Sequence, residues 1–141
     1  MAESYFGLRI PYLELLGVRP ERRADGVATV SLDVRPELTN SWEVAHGGVV
    51  MALLDCAMAF AARSTVPDAG GVVTIDMAVN FVRAGRGRLG AEGRVLRNGA
   101  SLVFCEGEVR DADGALVAKA LGTFKLRRRD RAAARSERST S

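Results

Sequence analysis

An acid set among apolar residues is the clearest chemical signal in this chain. Gly47 to Ala62 spans 16 positions, and Asp55 is its only charged residue. At helical spacing its neighbours are Gly48, Met51, Ala52, Met58 and Ala59, and no Lys, Arg or His stands three or four positions away. Burying a lone carboxylate costs several kcal/mol unless it is paired, hydrogen-bonded or protonated. Desolvation also makes the group more basic, which suits it to act as a general base or a nucleophile. The plainer alternative is that Asp55 faces a water-filled groove or caps a neighbouring loop.

His46-Gly47-Gly48 opens the same stretch. Two glycines let a ligand approach the backbone closely, and the free N–H groups of a helix N-terminus stabilise developing negative charge. A histidine before two glycines is also a common loop-to-helix junction, so the triplet matters here because Asp55 follows on the same helix. Gly47 and Asp55 are eight residues apart, about 12 Å along a helix axis. An attacking group and an oxyanion donor must each come within about 3 Å of one carbonyl. If both act, they belong to different copies of the chain, with helices packed antiparallel about a two-fold axis.

These groups need a scaffold, and the pattern of the chain outlines it. Residues 3–16 have apolar residues near helical spacing, interrupted by Pro11. Residues 17–26 read as a turn-rich connection. Ala28 to Val34 alternates as a half-buried strand, and residues 36–46 read as a loop. Gly47 to Arg63 is the one long helix, rich in Ala, Leu and Met. Val73, Ile75, Met77, Val79 and Phe81 alternate with Thr74, Asp76, Ala78 and Asn80 in a two-residue period. Strands over 89–96, 102–110 and 115–126 follow, joined by turns at Asn98-Gly99 and at residues 111–114. Strands linked by tight turns make an antiparallel sheet, so the class is α+β. The helix is apolar nearly all round, which calls for cover beyond what one sheet provides and predicts an oligomer.

At Asn40, His46-Gly47-Gly48 and Asp55, nine positions after the histidine, the chain resembles the hotdog-fold acyl-CoA thioesterases of the phenylacetate-pathway (PaaI-like) type. The likeness covers roughly residues 10–126 and includes the later FVRAGRG and GEVRDADGALVAKALGTF stretches. It implies a long central helix wrapped by a curved antiparallel sheet of about five to six strands, assembled as a homodimer or a tetramer of two dimers. It implies hydrolysis of an acyl-CoA thioester to a free acid and CoA, with CoA as part of the substrate and no separate cofactor. Matched position by position, the resemblance gives Asp55 the role of acidic nucleophile or general base. Gly47 becomes the backbone donor to the thioester carbonyl, and Asn40 the side-chain amide that helps hold that carbonyl or the water. His46 supports the loop, in a structural or catalytic role, and Thr74 stands near the attacking water. A residue such as Thr74, alternating on a strand, otherwise simply faces solvent. Cations are wanted for the CoA phosphates, and Arg83, Arg86, Arg88 and Arg97 offer them unless they are ordinary surface arginines. A thioester dehydratase and a non-catalytic acyl-CoA sensor are the competing readings. The first wants a histidine facing an acid, and the second has no need of a buried acid.

Composition agrees with one ordinary globular domain: 141 residues, 48% hydrophobic and 26% charged. The net charge of +3 resides on residues 127–141, where six arginines oppose Asp130 and Glu137 and leave the remaining body at −1. That Ala/Arg/Ser stretch reads as a solvated tail after a domain at residues 1–126, so no nucleic-acid partner is expected. One histidine and two separated cysteines, Cys56 and Cys105, cannot assemble a zinc site and fit a reducing cytoplasm. The apolar run carries Asp55 midway and the N-terminus has no signal pattern, so neither a membrane span nor secretion is expected.

Overall fold

The computed structural model describes residues 4–66 and 69–128. In chain order these form α1 (Pro11–Leu16), β1 (Arg19–Ala24), β2 (Val27–Asp33), a 3-10 turn at Pro36–Leu38, α2 (Gly47–Ser64), β3 (Ala69–Phe81), β4 (Arg88–Asn98), β5 (Leu102–Asp111) and β6 (Leu116–Arg128). One antiparallel sheet has the order β1-β2-β4-β5-β6-β3, and α2 lies against all six strands, so the sheet curves around it. Among the described residues this is the expected long helix wrapped by a six-stranded sheet.

Three elements differ from the sequence pattern. Residues 17–26 are not simply a turn-rich connection: Arg19–Ala24 pairs with β2 as an edge strand. Its sequence, RPERRA, lacks apolar alternation because it lies at the margin of the sheet, where Pro20 is tolerated. The N-terminal helix is shorter than residues 3–16, since Pro11 cannot sit inside a helix and instead begins α1. The last strand continues beyond residue 126, with Arg127 opposite Gly71 and Arg128 opposite Ala69, so the domain takes in the first two arginines of the expected tail. The rest of that tail, residues 129–141, lies outside the described residues.

The glycines of β4 set the seat of α2. A Cβ at Gly93 would stand 2.3 Å from the carbonyl oxygen of Ala57, so helix and sheet are in backbone contact there. Gly107 on β5 pairs with Gly93 and leaves space for Met58, which is fully buried. Around this seat Leu53, Leu54, Ala57 and Ala61 are also fully buried. By length and hydropathy α2 could cross a membrane, yet over half of it is covered by this sheet, as a core helix is. The uncovered stripe of α2 is Gly48, Met51, Ala52, Asp55 and Ala59. It is small, apolar and interrupted by one acid.

The strand at the other margin, β3, pairs only with β6. Its register slips between Thr74 and Asp76, with Thr74 opposite buried Phe124 and Met77 opposite Gly122. Ile75 is thus the extra residue of a β-bulge, and the inward-facing set changes parity across it. Met77, Val79 and Phe81 point to the helix side as their alternation predicts. Thr74, before the bulge, points there too.

Candidate active site

The first part of the site is the junction that starts α2. His46 is the N-cap: its Nδ1 accepts the Gly48 N–H at 2.8 Å, and its carbonyl accepts the N–H groups of Val49 (2.9 Å) and Val50 (3.3 Å). With Nδ1 occupied as an acceptor, the neutral ring carries its proton on Nε2, and the ring is exposed. Gly47, at the first helical position, is left with an N–H that has no partner among the described residues. It opens onto a groove of about 440 Å3 walled by Asn40, Val50, Phe81, Val82, Arg83 and Val117, among others.

Asn40 is held in place by its own loop. Its Oδ1 accepts the backbone N–H of Trp42 at 2.9 Å and that of Val44 at 3.4 Å, while its N–H donates to the Val44 carbonyl at 2.9 Å. The side-chain oxygen is therefore committed, and the amide NH2 is the end left to serve the groove as a donor. Glu43, at φ 60°, takes the left-handed turn that closes this loop. Asn40 and Gly47 thus converge on one groove as two N–H donors. Two donors on one groove are the kind of groups that can stabilise an oxyanion.

The acid stands elsewhere. Asp55 and Thr74 do not line the groove. The Thr74 hydroxyl donates to Asp55 Oδ1 at 2.6 Å, a contact made by the bulge in β3. Asp55 is half-buried in the single chain, so the expectation of a carboxylate isolated in an apolar interior is corrected: it lies on the uncovered stripe with a hydroxyl partner. Of its expected face neighbours, Met58 turns into the core instead. Next to it, burial pushes the Cys56 thiol up to about 12, with the Asp55 charge adding to the effect, and burial does the same to Cys105. Neither thiol is poised as a nucleophile.

The four arginines do not form one cluster. Arg83 lines the groove and donates to the Leu116 carbonyl at 3.1 Å, and Arg86 is exposed in the connection that follows. Arg88 is engaged with Glu21 at 3.1 Å, on the face of the sheet away from α2. Arg97 is nine residues further along β4, which places it about 30 Å from Arg88. Of the four, Arg83 alone lines the groove with Gly47 and Asn40. Among the described residues no three His, Cys, Asp or Glu side chains come together as a metal would need.

The chain is also similar to known proteins. A protein 36% identical over 127 residues, from Saccharolobus solfataricus, covers 89% of this chain and 90% of its own length, and its name proposes an esterase. The medium/long-chain acyl-CoA thioesterase YigI of Salmonella typhimurium is 26% identical over 137 residues, covering 86% and 88% of the two chains. The structure of the conserved protein PA5202 from Pseudomonas aeruginosa superposes with a TM-score of 0.79 at 38% identity, covering 83% of this chain and 94% of that one. PaaI from the phenylacetic acid degradation operon of E. coli gives 0.77 at 24% identity, a likeness of fold, covering 83% and 84%. The model of the Thioesterase superfamily matches residues 43–118, which run from the Asn40 loop through α2 and into β6. On that match, over more than half its length, the chain belongs to the thioesterase superfamily.

Proposed function

We propose that this chain hydrolyses acyl-CoA thioesters at sites shared between two copies. The observation that carries the reading is a division: the paired N–H donors, Gly47 and Asn40, open on one groove, while Asp55 and Thr74 meet outside it. Neither half is sufficient for acyl transfer. Antiparallel packing of two α2 helices along the stripe of Gly48, Met51, Ala52, Asp55 and Ala59 would bring each groove to the other copy's acid. It would also extend burial over Asp55. The bare edge of β3, with Val73 and Ile75 exposed, would be covered by the same two-fold pairing.

In the assembled site the thioester carbonyl oxygen accepts from the Gly47 N–H and the Asn40 NH2, which stabilise the negative charge formed on attack. Asp55, steadied by Thr74, acts from the opposite side, either attacking the carbonyl carbon or taking a proton from the water that does so. Collapse of the tetrahedral intermediate breaks the C–S bond: in the general-base route the proton that Asp55 took from water passes to the CoA thiolate, and in the nucleophilic route the acyl anhydride left on Asp55 is hydrolysed by a water that supplies the acid's oxygen and the thiol's proton. Thioesters have little resonance stabilisation, so one carboxylate and two donors meet the demand. Arg83 and Arg86 supply positive charge beside the groove for phosphate groups of CoA.

The test uses one inactive variant from each half. Asp55→Asn removes the base. Gly47→Pro removes the N–H, and proline is compatible with the first helical position after an extended His46. Each alone should lower kcat for the best of a panel of acyl-CoA substrates by about a hundredfold or more, judged by thiol release. Mixing and refolding the two should restore about a quarter of wild-type turnover, because half the dimers are mixed and each of those holds one intact site. Full activity in Asp55→Asn overturns the mechanism, and failure to complement overturns the shared site. Binding of acyl-CoA without turnover by the wild type would favour a sensor instead.

A further inference from the structure

The far end of α2 carries a feature that the acyl chemistry does not use. Arg23 of β1 and Arg63, in the last turn of α2, line one pocket of about 200 Å3 together with Ala24 and Ser64. Elsewhere Arg19, Arg88, Arg94 and Arg110 each meet a carboxylate. Arg23 and Arg63, both half-buried, meet none among the described residues. The helix dipole accounts for a cation at the end of α2, but not for a second one from a strand. Two like charges in one recess repel, and an anion between them replaces that repulsion with attraction. The frame of the pocket is fixed. The Ser64 hydroxyl accepts the Gly26 N–H at 2.8 Å and donates to the Ala61 carbonyl at 2.7 Å, which pins the β1–β2 turn to the helix end. The Arg23 guanidinium carbon lies 5.0 Å over the Phe6 ring, and Phe6 meets Phe60 of α2 edge-on at 5.0 Å. A guanidinium stacked in this way keeps its N–H fork in the ring-parallel plane, where it can bind two oxygens of one phosphate.

Resting on the shared-site thioesterase reading above, we propose that this pocket binds a phosphate group, supplied by the CoA end of a substrate whose thioester lies between the two copies. Arg63 follows Met51, Asp55 and Ala59 at four-residue steps, about 12 Å beyond Asp55 along the helix axis. Where Asp55 of one copy faces Gly47 of the other, antiparallel packing carries Arg63 past the start of the other copy's helix. In CoA the arm from the sulfur to the first phosphorus is about four peptide units long, roughly 14 Å when extended. The reach of the arm matches the rise from the acid to the arginine. CoA bears more than one phosphate, so Arg83 at the groove and this pocket do not compete for one group.

The test compares hexanoyl-CoA with hexanoyl-pantetheine, the same thioester without phosphate. The variants are Arg23→Gln, Arg63→Gln, their double and, as a control, Arg22→Gln, whose side chain is exposed on the same strand; each is checked for fold by circular dichroism. Each single pocket variant should raise KM for hexanoyl-CoA about tenfold, the loss expected for one charge-assisted contact, and keep kcat within about twofold. The same variants should leave kcat/KM for hexanoyl-pantetheine unchanged, and Arg22→Gln should match the wild type on both substrates. Calorimetric titration with CoA should show the same tenfold loss of affinity in the pocket variants. Titration with inorganic phosphate separates the sources: if the pocket variants lose phosphate binding while hexanoyl-CoA kinetics stay at wild-type values, the pocket serves free phosphate and the CoA assignment falls. Equal losses on the two thioesters, an equal loss in Arg22→Gln, or no loss in the double variant overturns the proposal. Hydrolysis of neither thioester by the wild type overturns the thioesterase reading instead, a distinct result, since the CoA titrations still report on the pocket.

Discussion

The two sides of α2 are built on opposite terms. On the sheet side, Leu53, Leu54, Ala57 and Met58 are fully buried, and backbone meets backbone at Gly93. There is no space to spare and no charge. On the other side, Gly48, Met51, Ala52 and Ala59 form a shallow apolar strip with Asp55 within it, its carboxylate engaged by a threonine from the sheet margin. The sheet side commits its sequence to stability, and any added atom has nowhere to go. The open side spends little on the stability of the single chain and, on the proposed mechanism, keeps the reacting carboxylate accessible. On that proposal one helix separates folding from chemistry by angle.

The largest effect should come from filling the sheet side. Gly93→Ala places a methyl 2.3 Å from the Ala57 carbonyl oxygen, and relief requires α2 to lift off β4. Overpacking of this kind costs about 3 kcal/mol, equivalent to a Tm loss of about 10 °C in a domain of this size. Gly90→Ala on the same strand is the control, because a Cβ there meets nothing within 4 Å; its Tm should stay within about 2 °C of wild type. If the two variants melt alike, backbone contact at Gly93 does not seat the helix. On the open side Asp55→Asn should reverse the pattern. The amide oxygen still accepts from Thr74, so thermal unfolding should move by about 2 °C or less while thiol release collapses. A Tm loss matching that of Gly93→Ala would make Asp55 a structural residue and erase the contrast.

Much of this division is legible in the residues themselves. The span of α2 and the strands over residues 28–34, 73–81 and 102–110 follow from periodicity, because burial on one face imposes it. The acid inside an apolar run stands out for the same reason. What stays hidden depends on partners distant in sequence. β1 has no apolar period, since an edge strand takes its order from β2. The position of Thr74 follows from the bulge at Ile75, which neither glycine nor proline marks; simple alternation sends its hydroxyl to solvent. The donor end of Asn40 is decided only once Trp42 and Val44 take its oxygen. Arg88 resembles Arg83 in composition, but Glu21 across the sheet engages it. Charges are easily counted in a sequence, and their partners are not.

The face of the sheet turned away from α2 gives the smallest effect and tests the contrast from a third direction. Glu108 on β5 is bonded by Arg110 at 3.1 Å, with Lys119 at 3.5 Å, and the Arg110 hydrogen bond, reinforced by both positive charges, holds its carboxyl below the ordinary carboxylate value. A group whose folded value is depressed adds stability above its unfolded value, and that contribution disappears as pH falls through the folded value. Glu108→Gln should therefore lower Tm slightly at pH 7, by about 2 °C or less as for most exposed ion pairs. The gap between variant and wild type should close as the pH is taken down from about 5 through the acid range. Turnover at pH 7 should not change, since this pair lies on the far side of the sheet from α2. A stability gap that persists in acid would mean that Glu108 acts through packing and not through its charge. A loss of turnover would mean that the outward face reaches the chemistry after all, and stability and catalysis would no longer divide at the helix.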